Sequence, residues 1–219
     1  MIVGDVWEGL QSFGLYQGIQ TIFVEFQGCK LICKACKNIR WRVFGVGEYF
    51  NSIDLLKEIT MNTNSLHINL CGGEPLDQEI NSFKVFLEDL NNAELVTTLW
   101  TNGTKPIYEI LGDHLEYVSL HVVFRPPSSR EVKKNIYENV LCTTWEKDVC
   151  ILTLRTKEDF KWAKSCIQRN PLVNWLIVPM LDSKDTPIII DKLMEDRIFS
   201  KIGIQFPIDQ TLELVYSQW

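Results

Sequence analysis

Short runs of β-branched and aromatic residues alternate along this chain with stretches whose apolar residues recur every three or four positions. The first kind predicts strands at residues 21–26, 66–70, 95–100, 117–123, 149–154, 175–178 and 202–206. The second predicts helices at 51–60, 79–90, 106–111, 131–141, 157–168 and 187–196. Ser52 is a plausible cap for the first helix, and Pro106 suits a first helical turn. In the second helix Ile80, Phe83, Leu87 and Leu90 share one face. Strands alternating with helices imply a parallel sheet built from βα units. About six units and a final strand are too few for a closed eight-stranded barrel. The expected fold is therefore α/β, a partial (β/α)6 barrel: an open parallel sheet with outer helices, forming one domain over residues 1–219. The least regular stretch is the loop around Pro126-Pro127-Ser128-Ser129.

Composition narrows the class. The chain has 219 residues, 46% hydrophobic and 23% charged, as in ordinary soluble domains. Net charge is −6 with no evident basic block, so polymeric nucleic acid is not an expected partner; a small molecule or a protein is. The longest apolar run, residues 175–181, is broken by Pro179 and is too short to span a bilayer. The first residues lack the basic and apolar regions of a signal peptide. Seven cysteines, three of them closely spaced, argue against a disulfide framework and for a cytoplasmic protein with reduced thiols.

Those three cysteines carry the strongest chemistry. Cys29, Cys33 and Cys36 form a C-x3-C-x2-C run directly after the first predicted strand. Thiolates are the ligands iron–sulfur clusters select, and cubane clusters usually take four. Three thiolates can hold a 4Fe–4S cube and leave one iron open to a small molecule. A structural zinc site would need a fourth ligand, but His67, His114 and His121 lack zinc-finger spacing to the cysteines. After the second strand comes Cys71-Gly72-Gly73-Glu74-Pro75, where two glycines allow close backbone approach to a ligand. After the third comes Thr101-Asn102-Gly103-Thr104, with hydroxyl and amide groups on the same expected rim. Ser119 and His121 are assigned to the end of the fourth strand, as candidates for nucleoside or substrate contact. Cys166 shares an apolar helix face with Phe160, Ala163 and Ile167 and is expected to pack; Cys142 and Cys150 match no cluster loop.

The cysteine run followed by Gly-Gly-Glu-Pro resembles the radical S-adenosylmethionine (SAM) superfamily. Within it, residues 11–18 and 22–29, then Gly72-Gly73-Glu74-Pro75-Leu76-x-Gln78 and Thr101-Asn102-Gly103-Thr104, are similar in spacing to 7-carboxy-7-deazaguanine synthases. The resemblance implies a 4Fe–4S cluster on Cys29, Cys33 and Cys36. It also implies SAM held near Gly72, Gly73, Glu74, Thr101 and Asn102, and cleavage of SAM to a 5′-deoxyadenosyl radical that abstracts hydrogen from a small substrate. It further implies an electron donor such as flavodoxin or ferredoxin, and a homodimer. The departures fall at substrate positions. The family's Gly-Glu-Gly glutamate is Phe13 here, its strand arginine is Glu25, and its Asp-Thr after the third cysteine is Lys37-Asn38. That threonine is associated with Mg²⁺, for which Asn38 is a poor substitute. Glu25 in place of arginine suggests a cationic or neutral substrate. Two other readings are a glycyl-radical activating protein, on the strength of Cys36-Lys-Asn38 and Trp41, and a non-catalytic iron–sulfur protein.

Overall fold

The computed structural model describes residues 1–34, 36, 39–61 and 65–207. In chain order the strands are β1 (Ile2–Leu10), β2 (Gln20–Phe26), β3 (Glu48–Tyr49), β4 (His67–Gly72), β5 (Val96–Thr101), β6 (Ser119–Phe124), β7 (Val149–Leu154), β8 (Trp175–Pro179) and β9 (Gly203–Ile204). The helices are α1 (Ser52–Met61), α2 (Ile80–Asn92), α3 (Ile107–Leu111), α4 (Lys157–Arg169) and α5 (Thr186–Glu195). The strands form one sheet in the order β3-β1-β2-β4-β5-β6-β7-β8-β9. From β2 onward every pairing is parallel; β1 and β3 add an antiparallel flap at one edge. The open parallel sheet with outer helices is the architecture the alternating pattern predicts.

Strand alternation sorts the residues onto two faces. Ile22, Val24, Phe26, Ile68, Leu70, Leu99, Leu120, Val122, Leu152 and Ile177 turn outward into the main core under the helices. α2 sends Phe83, Phe86, Leu87 and Leu90 into that core, each fully buried and worth about 2 kcal/mol of apolar burial. The concave face is different. On β7, β8 and the residue just after it, this face carries Val149, Ile151, Leu176, Val178 and Met180, packed against Phe13, Trp100 and Val123. On β4 to β6 it carries His67, Asn69, Thr98, Ser119 and His121, all buried and polar.

Three expectations are corrected. β1 is missing from the sequence reading because it is a strand of mixed exposure, flanked on its outer side only by the two-residue β3, with glycines at positions 4 and 9. Gly4 lies at a bulge where the Trp41 ring covers the backbone, and a Cβ there would stand 2.3 Å from that ring. The cap of α1 is Asn51, whose Oδ1 accepts from the Asp54 amide at 2.9 Å; Ser52 is already helical, and its hydroxyl donates to Asp89. Residues 131–141 are not an α-helix but two 3-10 turns, Val132–Lys134 and Tyr137–Thr143. There the side chain of Asn135 bonds the backbone N–H and C=O of Arg125, both at 2.9 Å. Asn139 likewise takes the Ile107 amide and the carbonyls of Gly103 and Lys105. Asparagine amides that capture neighbouring backbone divert a segment from helix.

Candidate functional site

The loop after β2 is pinned at its base by its own returning 3-10 turn, Ile39–Arg42. Gly28 N donates to Trp41 O at 2.7 Å, and Cys29 N to Arg42 O at 3.2 Å. The loop after β4 docks onto it through Gly73 N to Phe26 O, 2.8 Å, and Glu74 N to Gly28 O, 2.7 Å. This crossing dictates the two glycines. Gly72 has φ +95°, and a Cβ on Gly73 would sit 2.2 Å from the Gly28 carbonyl oxygen. The docking brings Cys29, Cys33 and Cys36 to the wall of one cavity of about 360 Å³, shared with Gly72, Gly73, Glu74, Thr101 and Asn102. All three thiols are free and partly exposed. Burial pushes the Cys29 thiol above its ordinary pKa.

Among the described residues no group of three His, Cys, Asp or Glu side chains is gathered closely enough to hold a single metal ion. Three cysteines around a cavity wall suit a cluster in which each thiolate meets its own iron. The donor set fits, and Asn102 Nδ2 lies 3.8 Å from the Cys29 sulfur, within reach to tune it.

Glu74 organises the rim. Its fully buried carboxylate accepts from Thr101 Oγ1 at 2.7 Å, Asn102 N at 2.8 Å and Leu76 N at 3.2 Å. Burial raises its pKa despite these donors. Two oxygens offer about four acceptor directions, so three protein donors leave room for a further one. Asn102 Oδ1 in turn fixes Thr104, accepting from its N at 3.0 Å and its Oγ1 at 2.6 Å.

The other sequence-derived candidates divide. Phe13 lines the cavity and meets Trp100 edge-on at 4.9 Å. Ser119 does not: it opens β6 at the opposite end from the cysteines, and its hydroxyl donates to Lys147 O. Even the bounds expected from the sequence, 117–123, put Ser119 nearer the start of the strand than its end. His121 lies below the cavity, wholly buried between Trp100 (4.9 Å) and Tyr16 (6.2 Å). Glu25 is also absent from the lining. It is buried on β2 and paired with Arg40 Nη2 at 3.3 Å; burial raises its carboxyl and the guanidinium opposes that. Lys37 and Asn38, and with them the possible Mg²⁺ position, lie outside the described residues.

Three cationic residues of the lining escape the sequence reading: Arg42, Arg125 and Arg155. Arg125 and Arg155 each follow the last residue of a strand, β6 and β7, on the rim where parallel sheets assemble their sites. Strand boundaries alone could have flagged them. Arg125 donates to Val123 O through Nε (2.9 Å) and Nη2 (2.6 Å), and Arg155 pairs with Asp182 at 2.5 Å. Asp159 steadies this side. Its buried carboxylate accepts from the amides of Ser128 and Arg155, both at 2.9 Å, and of Thr156 at 3.0 Å.

Comparison with known proteins agrees with this geometry. The family described as "4Fe-4S single cluster domain" matches residues 17–124. The 7-carboxy-7-deazaguanine synthase of Methanospirillum hungatei is 24% identical over 205 residues, 94% of this chain and 83% of the relative. Those of Methanothermobacter thermautotrophicus and Aquifex aeolicus are 29% and 31% identical, over 66% and 49% of this chain. The matched part spans only about half of each of these two, 55% and 48%. Among solved structures, QueE from Escherichia coli superposes with TM-score 0.68 at 15% identity, covering 94% of this chain and 92% of its own. SuiB of Streptococcus suis, bound to S-adenosylmethionine, gives TM-score 0.52 at 14% identity, covering 84% and 48%. At such identities the structural likeness is one of fold.

Proposed function

We propose that this chain, a diverged radical SAM protein similar to 7-carboxy-7-deazaguanine synthases, acts on a small anionic substrate in the cavity below its three cysteines. Cys29, Cys33 and Cys36 would hold a 4Fe–4S cluster, with SAM against the loop of Gly72, Gly73 and Glu74. A cluster and SAM bound together supply a 5′-deoxyadenosyl radical able to take a hydrogen atom from a carbon centre.

The chain's own residues do the positioning. Glu74 locks the loops after β4 and β5 into one rigid rim and keeps an acceptor direction for an ammonium group. Asn102 offers its amide to the Cys29 sulfur. Met180, Val123, Phe13 and Trp100 make the lower wall apolar, so water is excluded from a reactive carbon.

The observation that carries the substrate class is the charge of the lining. Three arginines face one carboxylate, Glu74, which is already hydrogen-bonded within the protein. One arginine suffices for the SAM carboxylate, and the others favour a substrate carboxylate or phosphate. This replaces the cationic or neutral substrate that Glu25 suggested. A cavity of this size also favours a small molecule over a protein glycyl segment.

The test is anaerobic reconstitution with iron and sulfide, then SAM and a strong reductant, with and without 6-carboxy-tetrahydropterin. Mass spectrometry follows 5′-deoxyadenosine and 7-carboxy-7-deazaguanine. A rise in both with the pterin assigns the relatives' reaction to this chain. A rise in 5′-deoxyadenosine alone supports the radical chemistry and directs the search to other anions. An intact cluster that does not cleave SAM overturns the proposal.

A further inference from the structure

The cavity holds a fourth cysteine that the iron–sulfur reading does not use. Cys71 lines it together with Cys29, Cys33 and Cys36, and its thiol is free and partly exposed. The three candidate ligands sit on the loop after β2, whereas Cys71 belongs to β4 itself, just before the Gly72-Gly73 crossing. Strand alternation sends Ile68 and Leu70 into the main core and sets Asn69 and Cys71 on the concave face. Cys71 shares the cavity wall with Phe13 and Trp100, on the side where a substrate would lie.

Its surroundings keep this thiol protonated. Glu25 is its partner in register on β2. Burial first, and the Glu25 carboxylate second, push the Cys71 thiol well above its ordinary pKa. A thiol must ionise to bind iron, so Glu25 disfavours Cys71 as a cluster ligand and preserves its S–H. A second observation marks the same wall. Asn69, two residues earlier on that face, is 3% exposed, and its Oδ1 is buried without a partner among the described residues. An orphaned acceptor next to a thiol is the provision for a donor group on a bound molecule.

We propose that Cys71 is the hydrogen-atom donor that quenches the carbon radical of the substrate in this cavity. The inference rests on the radical SAM reading above and deepens it. An S–H bond is weaker than an ordinary C–H bond, so the transfer runs downhill; the O–H bonds of water and serine are too strong to replace it. In the step the Cys71 S–H bond breaks homolytically, a C–H bond forms on the substrate, and the sulfur is left as a thiyl radical. One electron from the low-potential one-electron reductant that also serves the cluster, with one proton from solvent, restores the thiol. Each turnover then draws two electrons, one to cleave SAM and one to restore Cys71. The hydrogen removed from the substrate is not returned from 5′-deoxyadenosine, so SAM is consumed.

The experiment needs no known substrate, because SAM and titanium(III) citrate are its probes. With nothing else bound, the carbon radical to be quenched is the 5′-deoxyadenosyl carbon itself. Wild type, Cys71→Ser and Cys71→Ala are loaded with cluster, freed of added thiols and reduced in D2O with SAM. Mass spectrometry reads deuterium in 5′-deoxyadenosine, and iron content and the EPR spectrum of the reduced cluster are recorded alongside. The expected result is one deuterium in most wild-type 5′-deoxyadenosine, delivered from the exchanged S–D of Cys71. The deuterated share should fall about fivefold or more in both variants, with iron content and EPR spectrum as in the wild type. An equal deuterated share in the variants overturns the proposal, and so does deuterium-free 5′-deoxyadenosine from the wild type. Iron loss or an altered spectrum in Cys71→Ser also overturns it, since Cys71 would then be a cluster ligand. An intact wild-type cluster that forms no 5′-deoxyadenosine instead undoes the radical reading, and is distinguishable because iron and spectrum are read apart from cleavage.

Discussion

The rim and the floor of the concave face are built on opposite principles. At the rim every buried polar group of Glu74, Thr101 and Asn102 engages a partner, and the glycines pack backbone against backbone. On the floor, directly beneath, both ring nitrogens of His67 and of His121 are buried without one among the described residues, as are Thr98 Oγ1, Trp100 Nε1 and Asn69 Oδ1. Asn69 Nδ2 does reach Gln11 Oε1 at 2.8 Å, and Tyr16 covers His67 at 4.2 Å. A satisfied network fixes one geometry; unsatisfied buried groups cost stability and persist where something other than stability selects them. The rim is thus a rigid mount, and the floor holds unused hydrogen-bonding capacity under the site.

The sharpest way to break this contrast is Gly73→Ala. With the new Cβ 2.2 Å from Gly28 O, the two loops must part, at a cost of more than about 3 kcal/mol. Thermal unfolding and iron content after reconstitution should both fall; a variant that melts like the wild type and loads a full cluster would remove the glycine argument.

Glu74→Ala ranks next. It strands the Asn102 and Leu76 amides and the Thr101 hydroxyl in a dry rim, costing about 2–4 kcal/mol in urea unfolding. A loss under 1 kcal/mol would mean the rim is wetter than its packing implies.

The floor should respond in the other sense. Replacing His121 by Phe exchanges two unpartnered nitrogens for apolar atoms in a ring of similar shape, so stability at pH 7 should hold or rise by about 1 kcal/mol. Its pH dependence should change more. Burial, with a smaller contribution from His67, holds His121 at a pKa of about 3, below its ordinary 6.5. The neutral ring is the folded form, so the unfolded chain takes up the proton first. Stability linked to this group is therefore full above the unfolded value and is lost as pH falls through the folded one. Wild-type urea midpoints should drop more steeply between those two values than those of His121→Phe, and parallel curves would contradict the assignment.

Arg155→Gln is expected to be the mildest for folding, about 0.5 kcal/mol, since its Asp182 partner is nearly half exposed. With an anionic substrate KM should rise about tenfold with little change in kcat. An unchanged KM would leave Arg42 and Arg125 as the anion contacts.

Much of the rim was legible in the sequence. Cysteine spacing, paired glycines and a Thr-Asn-Gly turn are local features, and each followed a strand whose period was plain. The arginines were harder to see, because an isolated basic residue after a strand has no pattern; only the strand ends give it meaning. Ser119 went astray because it was assigned to the end of its strand, although both the expected bounds and β6 place it near the start. Glu25 was read through its alignment with an arginine, but the direction of its charge depends on Arg40, fifteen positions away and brought to it by the returning loop.

By itself the sequence determined the order of the parallel strands and of five helices, the spacing of the candidate cysteine ligands and the backbone freedom at Gly72 and Gly73, because each depends on neighbours within a few residues. Tertiary structure decided which charges face the cavity, which are neutralised behind it and which polar groups lie buried without a partner. Those properties arise from side chains far apart in the chain, and their energies depend on burial and distance, neither of which a linear pattern encodes.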